Sequence, residues 1–391
     1  MAGSERGGDE IGGRAWREFV GTLADAAKTI TGPTGAANAL QRAEGFRYLT
    51  RVLGAALEMH LERADPLRPS FTRMLSPIRK FLGDNPDVLY EYVPLDGARR
   101  YRVRGRRGSE IYLAFCVYER TPDGATRIGA NVSDAGMHFE PDGSFVLEIA
   151  PERPAGARNW LALGPNAASV IARQYFHDPL GATHARLEIE AIPAAPPPEP
   201  YSETELSERL AAVGHWLRET SELSAALSIF AALNAVPRDG AEHSALQVVG
   251  GDVRAERPSA RELVSQIDPK IVAGHLPTPD ISYTGAWWQI GPDEAVIAEG
   301  TPPPCRYWSL QIFNRWFESP DYRHRRVALN DSQALLEPDG SFRVVIAPRD
   351  PGAKNWLDTA GHDEGLLVFR ALIAEGAPVV RFRIVKLASL A

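Results

Sequence analysis

Cysteine is nearly missing from this chain: two in 391 residues, Cys116 and Cys305. Two isolated thiols form no disulfide framework, so the fold must rest on packing and hydrogen bonds. Long apolar runs are missing too. The longest, Leu223–Val236, is too short and too interrupted by Ser and Asn to span a bilayer. The opening MAGSERGGDEIGGR lacks the apolar core of a signal peptide. No long basic stretch offsets the net charge of −7, which argues against nucleic acid as a partner. The local clusters Arg99–Arg107 and Arg323–Arg326 read as solvated loops or edge strands. There is no P-loop, no dinucleotide glycine pattern, no G-x-S-x-G elbow and no H-E-x-x-H, and the nine histidines fall at no metal-ligand spacing. These absences lead to an expectation of a cytoplasmic protein with no cofactor and no metal.

The sequence does contain a duplication. Pro-Asp-Gly-Ser-Phe occurs at Pro141–Phe145 and again at Pro338–Phe342. Asn159-Trp160-Leu161 matches Asn355-Trp356-Leu357, and Pro86-Asp87-x-x-Tyr90 matches Pro279-Asp280-x-x-Tyr283. The repeat therefore covers Asn85–Ile192 and Thr278–Leu387. A period this long marks a duplicated domain rather than a solenoid. Asp-Gly between apolar runs signals a hairpin turn. Phe145–Ile149 and Phe342–Ile346 follow those turns, and Arg186–Glu190 and Val379–Val385 alternate apolar with charged residues. Period-two alternation buries one face of a strand. The fold class expected is mainly β with helical segments (α+β): two duplicated antiparallel, jelly-roll-like sandwich units.

Helical spacing at Arg14–Ile30 and Ala36–Arg63 predicts an N-terminal helical region. His60 lies in the second of these helices and reads as a packed or solvated residue. Ala194–Pro200 is a stiff Pro-rich linker. The capping box Ser202-Glu-Thr-Glu205 opens a helix, and a second apolar helix is expected at Glu222–Leu233. Arg261–Ile267 predicts a further turn or two of helix. The expected order is a disordered tail (1–12), a helical region (13–84), a first β unit (85–193), a linker and helical region (194–277), and a second β unit (278–391).

Four stretches carry a family resemblance. They are Gly83-Asp-Asn-Pro-Asp87, Tyr101–Gly108, Arg306–Gln311 with Asn314 and Trp316, and Asn355–His362. Together they resemble the bacterial domain-of-unknown-function family twelve-fourteen, with an upstream region like its twelve-fifty-four companion. The resemblance implies a β-rich, jelly-roll-like fold and no established reaction.

Comparing the copies separates fold from chemistry. Asn159/Asn355, Trp160/Trp356 and Arg173/Arg370 are shared and suit structural posts, although Trp and Arg also line pockets. After Asn-Trp-Leu the copies diverge: Ala162–Asn166 against Asp358-Thr-Ala-Gly-His362. A carboxylate can orient an imidazole that titrates near neutral pH. The preceding strand also differs, with Ser309 and Gln311 two apart where the first copy reads Leu113 and Phe115. One reading is a metal-independent lyase, isomerase or hydrolase in the second β unit. His362 would be its acid/base, Asp358 the orienter, and Arg306, Ser309 and Gln311 polar anchors. Asn314 and Arg370 would lie nearby, with Trp308, Trp316 and Trp356 as apolar walls. The alternatives are a non-catalytic binder of lipid or sugar and an assembly role. The expected partners are a small-molecule ligand and, through the helices, a second copy in a homodimer.

Overall fold

The alternating patterns become strands, and one eight-strand path is drawn twice. The computed structural model describes residues 5–33, 35–122, 126–233, 235–238, 243–244, 246–249, 252–254, 277–376 and 378–390. The helix expected at Arg261–Ile267 lies outside the described residues. The chain forms two units. Unit 1 is Met1–Lys80 with Val88–Ala225, and unit 2 is Phe81–Asp87 with Ala226–Ala391.

The chain begins with helices α1 (Glu5–Ala26), α2 (Lys28–Thr31) and α3 (Ala39–Leu57), and α3 runs into a π turn at Glu58–Glu62. Strands β1 (Thr72–Arg73), β2 (Val88–Pro94), β3 (Arg100–Arg106), β4 (Tyr112–Arg120) and β5 (Thr126–Ser133) follow. Next come β6 (Ser144–Ala150), β7 (Asn159–Ala162), β8 (Ala167–Tyr175), β9 (Arg186–Ile192) and helix α4 (Glu203–Leu233). The later strands begin with β10 (His243–Ser244), β11 (Leu246–Val249), β12 (Asp252–Arg254), β13 (Ile281–Gln289), β14 (Glu294–Thr301) and β15 (Tyr307–Phe313). They end with β16 (Ala328–Asn330), β17 (Phe342–Ala347), β18 (Trp356–Asp358), β19 (Glu364–Leu372) and β20 (Val379–Lys386).

Unit 1 has sheets in the order β1-β2-β8-β4-β5 and β7-β6-β3-β9. Unit 2 has β12-β11-β13-β19-β15-β16 and β10-β20-β14-β17-β18. The run β2-β8-β4-β5 thus maps onto β13-β19-β15-β16, and β7-β6-β3-β9 onto β18-β17-β14-β20. The duplicated, jelly-roll-like sandwich is what the paired motifs predict. Among the described strands its pairing is antiparallel except for β6 with β7 and β17 with β18, which are parallel. Both Asp-Gly turns are also present. Gly143 and Gly340 have φ of 82° and 84°, a conformation that suits glycine. Glu140 and Glu337 then bond across those turns to Ser144 and Ser341.

Each sandwich closes over inward side chains. Val93, Leu113, Phe115, Val117, Leu147 and Val170 fill unit 1, and Trp288, Val296, Leu310, Ile312, Val344 and Phe369 fill unit 2. Burying each such side chain stabilises the fold by about 1.5–3 kcal/mol before chain entropy is counted.

The helical regions depart from expectation in three places. The tail read as disordered over 1–12 is helical from Glu5. No breaker interrupts the periodic apolar positions of Ser202–Leu233, and α4 is one helix rather than two. The segment Phe81–Asp87, which straddles the expected boundary between the helical region and the first β unit, belongs to unit 2. Within unit 1, Tyr48 on α3 donates its hydroxyl proton to the Thr220 carbonyl on α4 at 2.8 Å. Among the described residues no helix is long and apolar enough to cross a membrane.

Candidate functional site

Strand β15 is buried along its whole length, which requires cover on both faces. Trp308, Leu310 and Ile312 point into the sandwich. Alternation then sends Tyr307, Ser309, Gln311 and Phe313 to the outer face of the sheet. The register aligns Tyr283, Arg370, Ser309 and Asn330 in one row across β13, β19, β15 and β16. Arg370 is 3% exposed on this face, with its guanidinium 5.2 Å from the Phe313 ring centroid and 5.9 Å from that of Tyr283.

Phe81–Asp87 covers this row. Arg370 donates to the Gln311 side-chain oxygen at 2.6 Å and to the Gly83 carbonyl at 2.7 Å. Gln311 donates to the Asp84 carbonyl at 2.9 Å. The Asp84 carboxylate accepts the Ser319 amide at 2.8 Å and the Ser319 hydroxyl at 2.6 Å. Asp87 Oδ2 accepts the Tyr307 hydroxyl at 2.7 Å and the Asn330 amide at 3.0 Å. Burial first, and then the adjacent Asp87 carboxylate, push the Tyr307 pKa well above the usual tyrosine range. The phenol therefore stays protonated and acts as a donor. Leu82 and Phe317 have positive φ, 51° and 56°, and Gly83 lies against the Phe317 ring. Backbone strain of this kind is held in place only by dense surroundings.

One polar group in this cluster is not well served. Ser309 is 1% exposed and its Oγ makes no hydrogen bond of good geometry. It lies close enough to the Tyr307 hydroxyl to influence its acidity.

The residues singled out in the sequence do not stay together. Ser309, Gln311 and Arg370 meet on the outer face as described. Asn314 shapes the loop beyond β15, where its side-chain oxygen accepts the amides of Trp316 and Glu318, and Trp316 is buried there. Trp308 is a core residue stacked on Phe342 and Phe369, so it is no pocket wall. Arg306 is exposed, and its backbone amide pairs with Leu372.

The expected Asp358–His362 pair does not form. Asp358 accepts Arg325 at 2.7 Å and the Ala360 amide at 2.8 Å, so its two oxygens are taken by a guanidinium and a main-chain amide. His362 Nδ1 instead bonds the Thr359 carbonyl at 2.9 Å.

The repeated motifs are structural in both units. Asn159 donates to the His138 and Val146 carbonyls and accepts the His138 amide. Asn355 does the same with Leu335 and Arg343. Trp160 and Trp356 donate Nε1–H to the Ala150 and Ala347 carbonyls. The register of Ser309 and Gln311 differs by one residue from the expected match to Leu113 and Phe115. Ser309 pairs with Arg370 as Ala114 pairs with Arg173, so Ser309 and Gln311 correspond to Ala114 and Cys116.

Asp84, Asn85, Asp87, Tyr307 and Ser319 were not among the expected site residues. The only signal for the first three was Gly83-Asp-Asn-Pro-Asp87, whose polar composition reads as a solvated loop. Among the described residues no group of three or more His, Cys, Asp or Glu is placed to hold a metal ion.

A family model with the description "Protein of unknown function (DUF1214)" matches residues 91–179 and 295–375. An uncharacterized protein of Burkholderia cenocepacia, known from a crystal structure, is 32% identical. The match covers 97% of this chain and 99% of that one, with a TM-score of 0.85. A protein of Vibrio parahaemolyticus solved by a structural-genomics consortium is 13% identical over 93% of this chain and 100% of that one, with a TM-score of 0.48. No curated protein matches the chain.

Proposed function

The chain belongs to the DUF1214 family, whose description assigns no activity, and from its own residues we propose that unit 2 binds a small polar organic molecule on its outer sheet face. The observation that carries the reading is Ser309. A buried hydroxyl without a partner of good geometry costs about 1–3 kcal/mol, which supports a bound molecule as that partner. Ser309 lies between Arg370 and Asn330 in the four-strand row and next to Tyr307. The density of buried polar groups and the positive φ of Leu82 and Phe317 support a functional role.

Tyr307 and Asp87 enter this reading as hydrogen-bonding groups rather than as an acid/base pair, because the one phenolic proton is given to Asp87 Oδ2 and burial pushes the phenol's pKa up. The cytoplasmic location remains part of this proposal, supported by the free thiols of Cys116 and Cys305. A homodimer is supported by the exposed Trp16, Val20 and Phe46 of α1 and α3.

The test is mass spectrometry of gently denatured full-length protein. Wild type should release a stoichiometric small molecule, and Ser309→Val should release none while melting no lower than wild type. A wild type that carries nothing, or a Ser309→Val protein that keeps its full load, overturns the proposal.

A further inference from the structure

We propose that unit 1 carries a second, independent small-molecule site at His60, for a neutral hydroxyl-bearing molecule with an apolar body, such as a phenol. His60 lies on the π turn Glu58–Glu62, where Arg63 donates its amide to Glu58, five residues back, at 3.0 Å. A π turn inserts one residue into a helix and rotates the side chains beyond it by about 100°. It is less stable than continued α-helix and recurs at functional sites. Here it is clamped from two sides: Arg79 pairs with Glu58, and Arg209 on α4 donates to the Leu61 carbonyl.

The turn places the imidazole between two aromatic side chains. Its centroid is 5.6 Å from the Trp216 ring and 5.9 Å from the Tyr92 ring. His60 is half-buried, but its Nε2 is shielded from solvent and has no hydrogen-bond partner. An unserved ring nitrogen among aromatic faces calls for a neutral partner. Charged partners are disfavoured because burial, with Arg120 and His215 nearby, holds the imidazole neutral. A hydroxyl suits Nε2 in either tautomer, since it can donate to a lone pair or accept from an N–H. The rings favour an apolar or aromatic body on that hydroxyl.

The probes are phenol and benzene, titrated into the full chain with nitrogen-15-labelled histidine. At millimolar concentrations, a usual range for so small a ligand, phenol should shift the His60 Nε2 resonance saturably, and benzene should not. Phenol should also show a nuclear Overhauser contact to the His60 ring and raise the melting temperature of wild type but not of His60→Phe. Should His60→Phe fail to fold, the wild-type titration decides alone. The proposal is overturned by no phenol shift or by an equal shift with benzene. It is overturned equally by an Nε2 resonance already at a hydrogen-bonded position that phenol does not move, which is the sign of a structural water.

Discussion

Acidification should destabilise unit 1 through His60. An unfolded histidine titrates near 6.5, and in the folded unit this one is lowered to about 4. Burial is the main cause, followed by the positive charges of Arg120 on β4 and His215 on α4. Glu219 on the same helix is 3.4 Å from Arg120 and so offsets part of that repulsion. Between those two pKa values the unfolded chain holds a proton that the native unit refuses, so stability falls as pH falls. For this single site the loss from neutral pH is about 2 kcal/mol at about pH 5, and about 3 kcal/mol once pH reaches the folded value. His60→Phe removes the titration while keeping a ring between Tyr92 and Trp216. Urea unfolding of both proteins at about pH 7.5 and about pH 5 gives four stabilities, and the difference of differences isolates His60. Wild type should lose about 2 kcal/mol more than the variant. Equal losses, or a His60 ring proton that titrates near 6.5 in the folded protein, would refute the argument.

Unit 2 offers four further tests. Tyr307→Phe takes the phenolic donor from buried Asp87 Oδ2 and should cost about 1–3 kcal/mol in urea unfolding. Gly83→Ala should cost more than Gly340→Ala: both have positive φ, but a Cβ at Gly83 would fall 2.4 Å from the Phe317 ring, whereas Gly340 is open. Asn355→Ala removes three hydrogen bonds and should lower stability by about 2–3 kcal/mol, with Asn159→Ala doing the same in unit 1. Arg325→Ala should cost less than about 1 kcal/mol, since the Arg325 side chain is 51% exposed beside Asp358.

The architecture was legible because identical local chemistry recurs. Each Asp-Gly turn has the same backbone requirement, and Asn159 and Asn355 bind matching carbonyls, so paired motifs implied paired folds. Boundaries were less legible. Phe81–Asp87 looks like a connector because contacts more than 200 residues distant leave no local periodicity. The candidate site was half visible. Ser309 and Gln311 were conspicuous as polar residues in an apolar strand, and a polar residue on a buried strand must be served by something. Gln311 is served by Arg370 and a main-chain carbonyl, and backbone groups carry no sequence signature. Asp358 and His362 misled for the opposite reason. They are neighbours in sequence, but the charge that attracts Asp358 sits on Arg325, 33 residues away.

Phe81–Asp87 also sets a timetable. Gly83 and its partner Arg370 are 287 residues apart. At a ribosomal pace of about 5–20 residues per second, Gly83 waits roughly 15–60 s for that guanidinium to be made. Closing so long a loop adds little entropy beyond closing one half its length, so the delay is kinetic rather than energetic. Through that interval Asp84 and Asp87 remain hydrated carboxylates on the nascent chain, which helps to keep the segment from collapsing early. A chain that stalls before β19 would leave them waiting, with the outer face of the second sandwich still unbuilt.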